Sequence, residues 1–255
     1  MIARSLTLTA LAGLPLVKPG DDLPALLIAA LRRMQIQLQD NDVLVVAQKV
    51  VSKAEGRLVD LKNVVPSARA IALGNEVNKD ARLVEVILSE TDEIIRKHRD
   101  VLIVADRRGF IMANAGVDQS NVAGEDSDQV LLLPSDSDAS AAALKTRLDR
   151  EFAADIGVVI NDSFGRPWRY GVVGVALGAA GLPSLRSMVG MLDLFGRKLR
   201  VTEVALADEI AAAASLLMGQ GAEAQPAVLL RGFYWDAPAA PASVLLRPKL
   251  TDLFR

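Results

Sequence analysis

Short apolar runs divided by polar corners pattern the 255-residue chain. Ser5, Thr7 and Thr9 alternate with Leu6, Leu8 and Ala10. That is the period of a half-buried strand, whereas the core of a secretory leader would be continuously apolar. Gly13-Leu14-Pro15 turns the chain, and Lys18-Pro19-Gly20-Asp21-Asp22 leads into a predicted helix from about Leu23 to Met34, capped by Asp21 or Asp22. The valine-rich run Asp42 to Val51 reads as a strand ending at the polar corner Ser52 to Arg57. Pro66 to Val77 and Lys79 to Thr91 carry apolar residues at helical spacing and form a predicted helical subdomain.

Strand signals then dominate. Ile94 to Ala113 reads as short strands, with Asp106 to Gly109 turning between Val101–Ala105 and Phe110–Ala113. The polar loop Asn114 to Asp128 has no hydrophobic period but holds Gly116, Asp118, Ser120, Asn121 and Glu125, and loops of that length are commonly functional. Ser135 to Phe152 is a predicted helix with an acidic start and a basic end. Strands at Gly157 to Ile160 and Gly171 to Leu177 flank the run Asn161 to Gly171. A further strand at Lys198 to Val204 precedes a helix from about Ala207 to Met218, stopped at Gly219-Gln220-Gly221, and Val228 to Leu230 is a last core strand. Strands outnumber helices and several are hairpin-linked, so the expected class is α+β with mixed or antiparallel sheets, rather than a doubly wound Rossmann sheet.

Composition narrows the functions. With 29 basic against 31 acidic side chains there is no basic field to gather nucleic acid, and any anionic ligand must meet a local cluster. The chain has no cysteine, which excludes thiolate chemistry and suits a cytoplasmic setting. No stretch approaches the apolar length of a membrane span. The lone histidine, His98, lies among Arg96, Lys97, Arg99 and Asp100 and reads as a solvated side chain, which argues against a serine–histidine triad or a histidine zinc site.

The common glycine-rich nucleotide fingerprints are missing. Gly174 to Gly181 is glycine-rich, but small residues beside a strand more often mean close packing. Oxygen ligands stand out instead. Asp118 with Asn121, and Asp162 with Ser163, are each expected where an apolar strand gives way to a loop, and carboxylate plus hydroxyl suits hard cations that also hold phosphate. Each alone reads more readily as a turn or helix-capping residue than as a ligand. Lys49 and Lys53, four apart, and Arg166, Arg169, Arg186 and Arg197 in glycine-bearing turns are candidate counter-charges.

Five separated blocks resemble one family. Gly13-Leu14-Pro15 with Lys18 to Asp22, Lys49 to Arg57, Asn114 to Asn121, Asp162 to Arg169, and Ala207 to Ile210 with Leu217-Met218-Gly219 are similar, in order and over nearly the whole chain, to the coenzyme F(420):L-glutamate ligase family. The resemblance implies a single catalytic unit over residues 1–255, made of two subdomains that pair into an intertwined homodimer with a fold distinct from the ATP-grasp ligases. It implies GTP-dependent addition of L-glutamate to the lactyl carboxylate of a deazaflavin precursor, then γ-linked extension, with magnesium or manganese and assisting potassium. Carried onto this sequence, Asp118 and Asp162 would hold the divalent ion, with Ser163 reaching a second. Ala12, Gly13, Leu14, Pro15, Gln48, Lys49, Lys53, Asn121, Met218, Gly219, Gln220 and Gly221 would surround the nucleotide. Lys53 and Arg166 would stabilise transition-state charge.

Gln220 stands where relatives often carry an acidic residue, which bears on the second metal, and Gln48-Lys49 departs from small hydroxyl residues. Ending at Arg255, without the flavin-binding extension of some relatives, the chain is expected to act as a stand-alone ligase without flavin. The alternatives are a ligase of the same fold acting on another carboxylate, or a nucleotide-binding protein without turnover.

Overall fold

Apolar runs that are continuous rather than alternating build the centre of the molecule. In the computed structural model, which describes residues 5–122 and 128–254, Arg4, Glu125 and Arg255 lie outside the described residues. The first part of the chain forms β1 (Thr7–Ala10), α1 (Leu23–Arg33), β2 (Val43–Ala47), α2 (Gln48–Ala54) and β3 (Leu58–Asp60). Next come α3 (Ala68–Val77), α4 (Ala81–Ser89), β4 (Thr91–His98), β5 (Val101–Asp106), β6 (Ile111–Ala113) and β7 (Gln129–Leu131). The last part holds α5 (Ser137–Phe152), β8 (Gly157–Arg166), β9 (Arg169–Ala180), β10 (Arg186–Ser187), β11 (Glu203–Val204), α6 (Leu206–Met218) and β12 (Ala227–Arg231).

Five strands in the order β1-β12-β2-β8-β9 make the main sheet, in which β2 and β8 are parallel and the other pairs antiparallel. Both faces are buried. Leu44 and Val46 of β2 face a core shared with α1 and α5, while Val43 and Val45 face a second core under α6. This is why these strands read as unbroken apolar runs. The antiparallel sheet β4-β5-β6 packs with α3 and α4 around a third core, and Phe110, Met112, Leu133 and Leu177 form a small cluster at the seam. The expected α+β class with mixed and antiparallel sheets is what forms.

Local chemistry places the helices. Asp22 accepts from the Ala25 N–H at the start of α1, Ser67 from Ala70 at α3, and Asp136 from Ala139 at α5. Pro66 thus precedes the cap of α3. The small residues of β9 allow close contact: a Cβ at Gly174 would lie 2.4 Å from the Ala211 carbonyl oxygen, and one at Gly178 would lie 2.1 Å from that of Ser137. β9 is also a sheet edge. The N–H groups of Ala176 and Ala179 donate to Asp208 of α6 and Asp138 of α5 at 2.9 Å each.

Three sequence readings are corrected. The predicted strand Asp42 to Val51 ends at Ala47, and Gln48 to Ala54 coil into α2, burying Val51 and Ser52 on one side. Helical burial here outweighs the strand preference of valine. The run Asn161 to Gly171 is no loop: β8 and β9 continue through it as one long hairpin with Pro167-Trp168 at its tip and Trp168 at φ 59°. Its polar residues extend the ladder beyond the core. The strand expected over Lys198 to Val204 shrinks to Glu203–Val204, because most of residues 188–202 form an exposed arm.

Candidate functional site: a cleft of carboxylates and lysines

Where β2 gives way to α2, the chain delivers two lysines to one helix face. Lys49 and Lys53 are one turn apart on α2 and reach the loop that follows β6. Lys49 Nζ bridges Asp118 Oδ2 at 2.5 Å and the Ser120 hydroxyl at 2.8 Å, and Lys53 Nζ donates to the Asn121 carbonyl at 2.7 Å. Asp118 is held from behind, its backbone exchanging two hydrogen bonds with Leu131 of 3.0 and 2.8 Å. The approach is tightly wound: Asn114, Ala115 and Gly116 all have positive φ, at 55°, 54° and 71°. Glycine is required at the third, since a Cβ there would lie 2.7 Å from Leu133.

The second carboxylate comes from β8. Asp162 stands beside Asp118 and Lys49, its Oδ1 accepting the Ser163 N–H at 2.8 Å. Burial pushes the Asp162 carboxyl up to about 6, aided by the neighbouring Asp118 charge and opposed by Ser163 and Lys49. Burial also pushes Asp118 upward, but Lys49 and the Ser120 N–H and hydroxyl outweigh it, leaving that carboxyl below its ordinary value. Burial, then repulsion from Lys49, lowers Lys53. Ser163 Oγ donates to Gln220 Oε1 at 2.8 Å, and Asn121 Nδ2 donates to the Gly221 carbonyl at 3.1 Å, closing the cleft with the segment after α6.

These side chains line one cavity of about 420 Å³. It brings together Leu14, Pro15, Gln48, Lys49, Lys53, Asp118, Asn121, Asp162, Ser163 and Met218 to Gly221. Three expected residues are not among its walls. The Ala12 N–H points to the Met34 sulfur and the Gly13 carbonyl accepts from Arg33, while Arg166 lines a separate groove and donates to the Gly171 carbonyl. Gln48 is buried, its amide held by Ser52 Oγ at 2.7 Å. His98 is exposed, as its charged neighbours suggested.

Asn161 and Glu223 emerge only in three dimensions. Asn161 is 5% exposed, its Nδ2 donates to Ser215 Oγ at 3.0 Å, and its Oδ1 has no partner. Its place at the head of the polar run was the available signal. Glu223 folds back over the turn after α6, taking the Gly221 N–H at 2.8 Å. Its own N–H and those of Gly221 and Gln220 hold the carboxyl below its ordinary value. A carboxylate thus sits in a nest of backbone donors that suits any oxyanion.

No group of three or more His, Cys, Asp or Glu side chains that could hold a metal occurs among the described residues. Two carboxylates with the neutral oxygens of Ser163 and Gln220 nonetheless fit a hard cation that draws its remaining ligands from phosphate or water. The like-charge stress on Asp162 is what such a cation relieves. The α+β fold gathers carboxylates, lysines and backbone N–H donors into one cleft, a chemistry suited to a charged, oxygen-rich ligand.

The family described as F420-0:Gamma-glutamyl ligase matches residues 13–232, and the chain belongs to it. The protein named coenzyme F420:L-glutamate ligase from Methanothermobacter thermautotrophicus is 44% identical over 252 residues, covering 98% of this chain and 99% of its own. The protein of that name from Methanopyrus kandleri is also 44% identical, covering 94% and 93%, and that from Methanocaldococcus jannaschii is 37% identical, covering 95% and 94%. The chain is accordingly a ligase.

Proposed function

We propose that this ligase joins L-glutamate to the lactyl carboxylate of the deazaflavin precursor F420-0 in a GTP-dependent reaction, then extends the product through γ-linkages. The observation that carries the reading is the convergence of Asp118, Asp162 and Lys49 in a cleft also lined by Lys53, in a chain that belongs to the F420-0:Gamma-glutamyl ligase family and is similar over nearly its full length to a protein named coenzyme F420:L-glutamate ligase.

A carboxylate is a poor electrophile and must be activated. Transfer of the γ-phosphoryl group to a carboxylate oxygen forms an acyl phosphate and releases GDP. The glutamate amine then attacks the carbonyl carbon, loses a proton and expels inorganic phosphate. The residues act by positioning and charge neutralisation. Lys49 and Lys53 meet phosphate oxygens, the Gln220 and Gly221 N–H groups offer a phosphate nest, and Asn161 Oδ1 accepts a donor from the ligand. Asp118 and Asp162 would hold magnesium or manganese, with Ser163 and Gln220 as neutral oxygens toward a second ion, and potassium assisting. When bound, the ions neutralise charge on the transferring phosphoryl group.

The intertwined two-subdomain dimer, distinct from ATP-grasp enzymes, belongs to this reading. Its support is the arm over residues 188–202, where Leu194 is 99% and Phe195 89% exposed, as expected of a face that a second copy covers. A cytoplasmic setting fits the absence, among the described residues, of any helix long and apolar enough to cross a membrane.

The decisive test incubates the protein with F420-0, L-glutamate, GTP and manganese and weighs the product. Added glutamyl residues that depend on nucleotide are expected. An unchanged precursor with every nucleotide tried would overturn the reading.

A further inference from the structure

A second groove, about 870 Å³ against about 420 Å³ for the cleft, begins where the cleft ends. Along β8 the lining passes directly from Asp162 and Ser163 in the cleft to Phe164 in the groove, and Val175, cross-strand partner of Asp162, also lines the groove. Side chains two apart on a strand share a face, so Asp162 and Phe164 look the same way. From Asp162 to Phe164 is about 7 Å at strand rise.

The groove's walls are chemically unlike. Phe164 and Val173 of the hairpin face Ile95 and Ile111 of the β4-β5-β6 sheet, giving an apolar slot. Arg96 and Arg166 stand at this slot. Each has one donor engaged with a backbone carbonyl, Ile95 for Arg96 at 2.7 Å and Gly171 for Arg166 at 3.1 Å. A guanidinium has five N–H donors and a flat face, so each keeps the capacity to fork onto an anion or stack on a ring. The wall formed by β11 and the first turn of α6 carries Glu203, Asp208 and Glu209, which turns anionic parts of any occupant toward the arginines.

A pocket of a few hundred cubic ångströms holds one ligand of drug size. The reaction proposed above needs a nucleotide and a large acceptor side by side, and the cleft accommodates the first. We propose that the groove is the acceptor site, holding the flat deazaflavin ring between the apolar walls and the two arginines, with the carboxylate-bearing arm running along β8 to Asp162. This assignment rests on the ligase reading and adds the place and recognition chemistry of its larger substrate. It also gives Arg166 a role that its distance from the cleft allows: gripping the acceptor rather than the phosphoryl group.

The test is a fluorescence titration of F420-0 into the full chain and into Arg96→Glu and Arg166→Glu, with GTP affinity measured in parallel in the presence of manganese. Arg96 is exposed, so its reversal leaves folding intact, and retained GTP binding reports a folded protein. Each reversal is expected to weaken F420-0 about tenfold while GTP affinity holds. Unchanged F420-0 affinity in both variants would overturn the groove assignment and leave the ligase reading standing. If wild type binds GTP but not F420-0, the substrate reading itself falls and the groove assignment falls with it.

Discussion

Replacing Asp162 by asparagine should stabilise the metal-free protein while destroying its activity. Burial and the Asp118 charge raise the Asp162 carboxyl from 3.8 to about 6, net of its attraction to Lys49. About two units at 1.36 kcal/mol each is at most about 3 kcal/mol of folding free energy, and the partial solvent access of the residue reduces this to about 2 kcal/mol. A carboxyl raised on folding favours the native state while protonated, so this contribution is present below about pH 4, is lost as pH climbs to about 6, and stays lost above. Asparagine does not titrate. Its advantage over the wild type should therefore be near zero at pH 4 and complete by pH 7, worth roughly 5 °C in melting temperature for a chain of this size. Denaturation of both proteins in chelator from pH 4.5 to 7.5 measures it. Manganese should stabilise the wild type and not the variant, and ligation should fall by about a hundredfold or more. A variant no more stable at pH 7.5, or a gain independent of pH, would refute the placement of a stressed Asp162 carboxylate beside Asp118 at a cation site.

Three further outcomes follow from the same geometry. Lys49→Met removes the positive charge that pulls down both Asp118 and Asp162, so the pH midpoint of manganese binding should move up by about one unit, read by calorimetry across pH; no movement would detach Lys49 from the metal carboxylates. Glu223→Ala frees the backbone nest after α6, and GTP affinity should tighten roughly fivefold in an equilibrium titration, whereas unchanged affinity would mean that no phosphate enters there. Gly178→Ala forces a Cβ to 2.1 Å from the Ser137 carbonyl, and denaturant unfolding should show a loss of about 3 kcal/mol or more, with wild-type stability contradicting the close contact of β9 and α5.

Legibility in the sequence depended on whether neighbours along the chain carried the cause. Strands buried on both faces, such as Val43 to Val46, were visible because burial demands apolar residues at every position. Capping aspartates were visible because an N-cap acts within three residues. Gln48 to Ala54 misled, because its valines are neutral between a strand and a helix until Val51 and Ser52 find a face to bury. The run from Asn161 to Gly171 misled for the opposite reason. Polar residues suggest a loop, but backbone pairing of β8 with β9 needs no apolar side chain.

For the cleft, residue types and order were enough to nominate Asp118, Asp162, Lys49, Lys53 and the turn at Gly219, because a hard-cation and phosphate site needs those chemistries. Their assembly is a tertiary fact. Residues from β2, α2, the loop after β6, β8 and the end of α6 meet only because β2 and β8 lie parallel and end at the same edge. The same packing carried Arg166 along the hairpin into the neighbouring groove, left the side-chain oxygen of Asn161 without a partner, and laid Glu223 over the nest. None of those outcomes is local, since each depends on which surfaces the sheets and helices bury against one another.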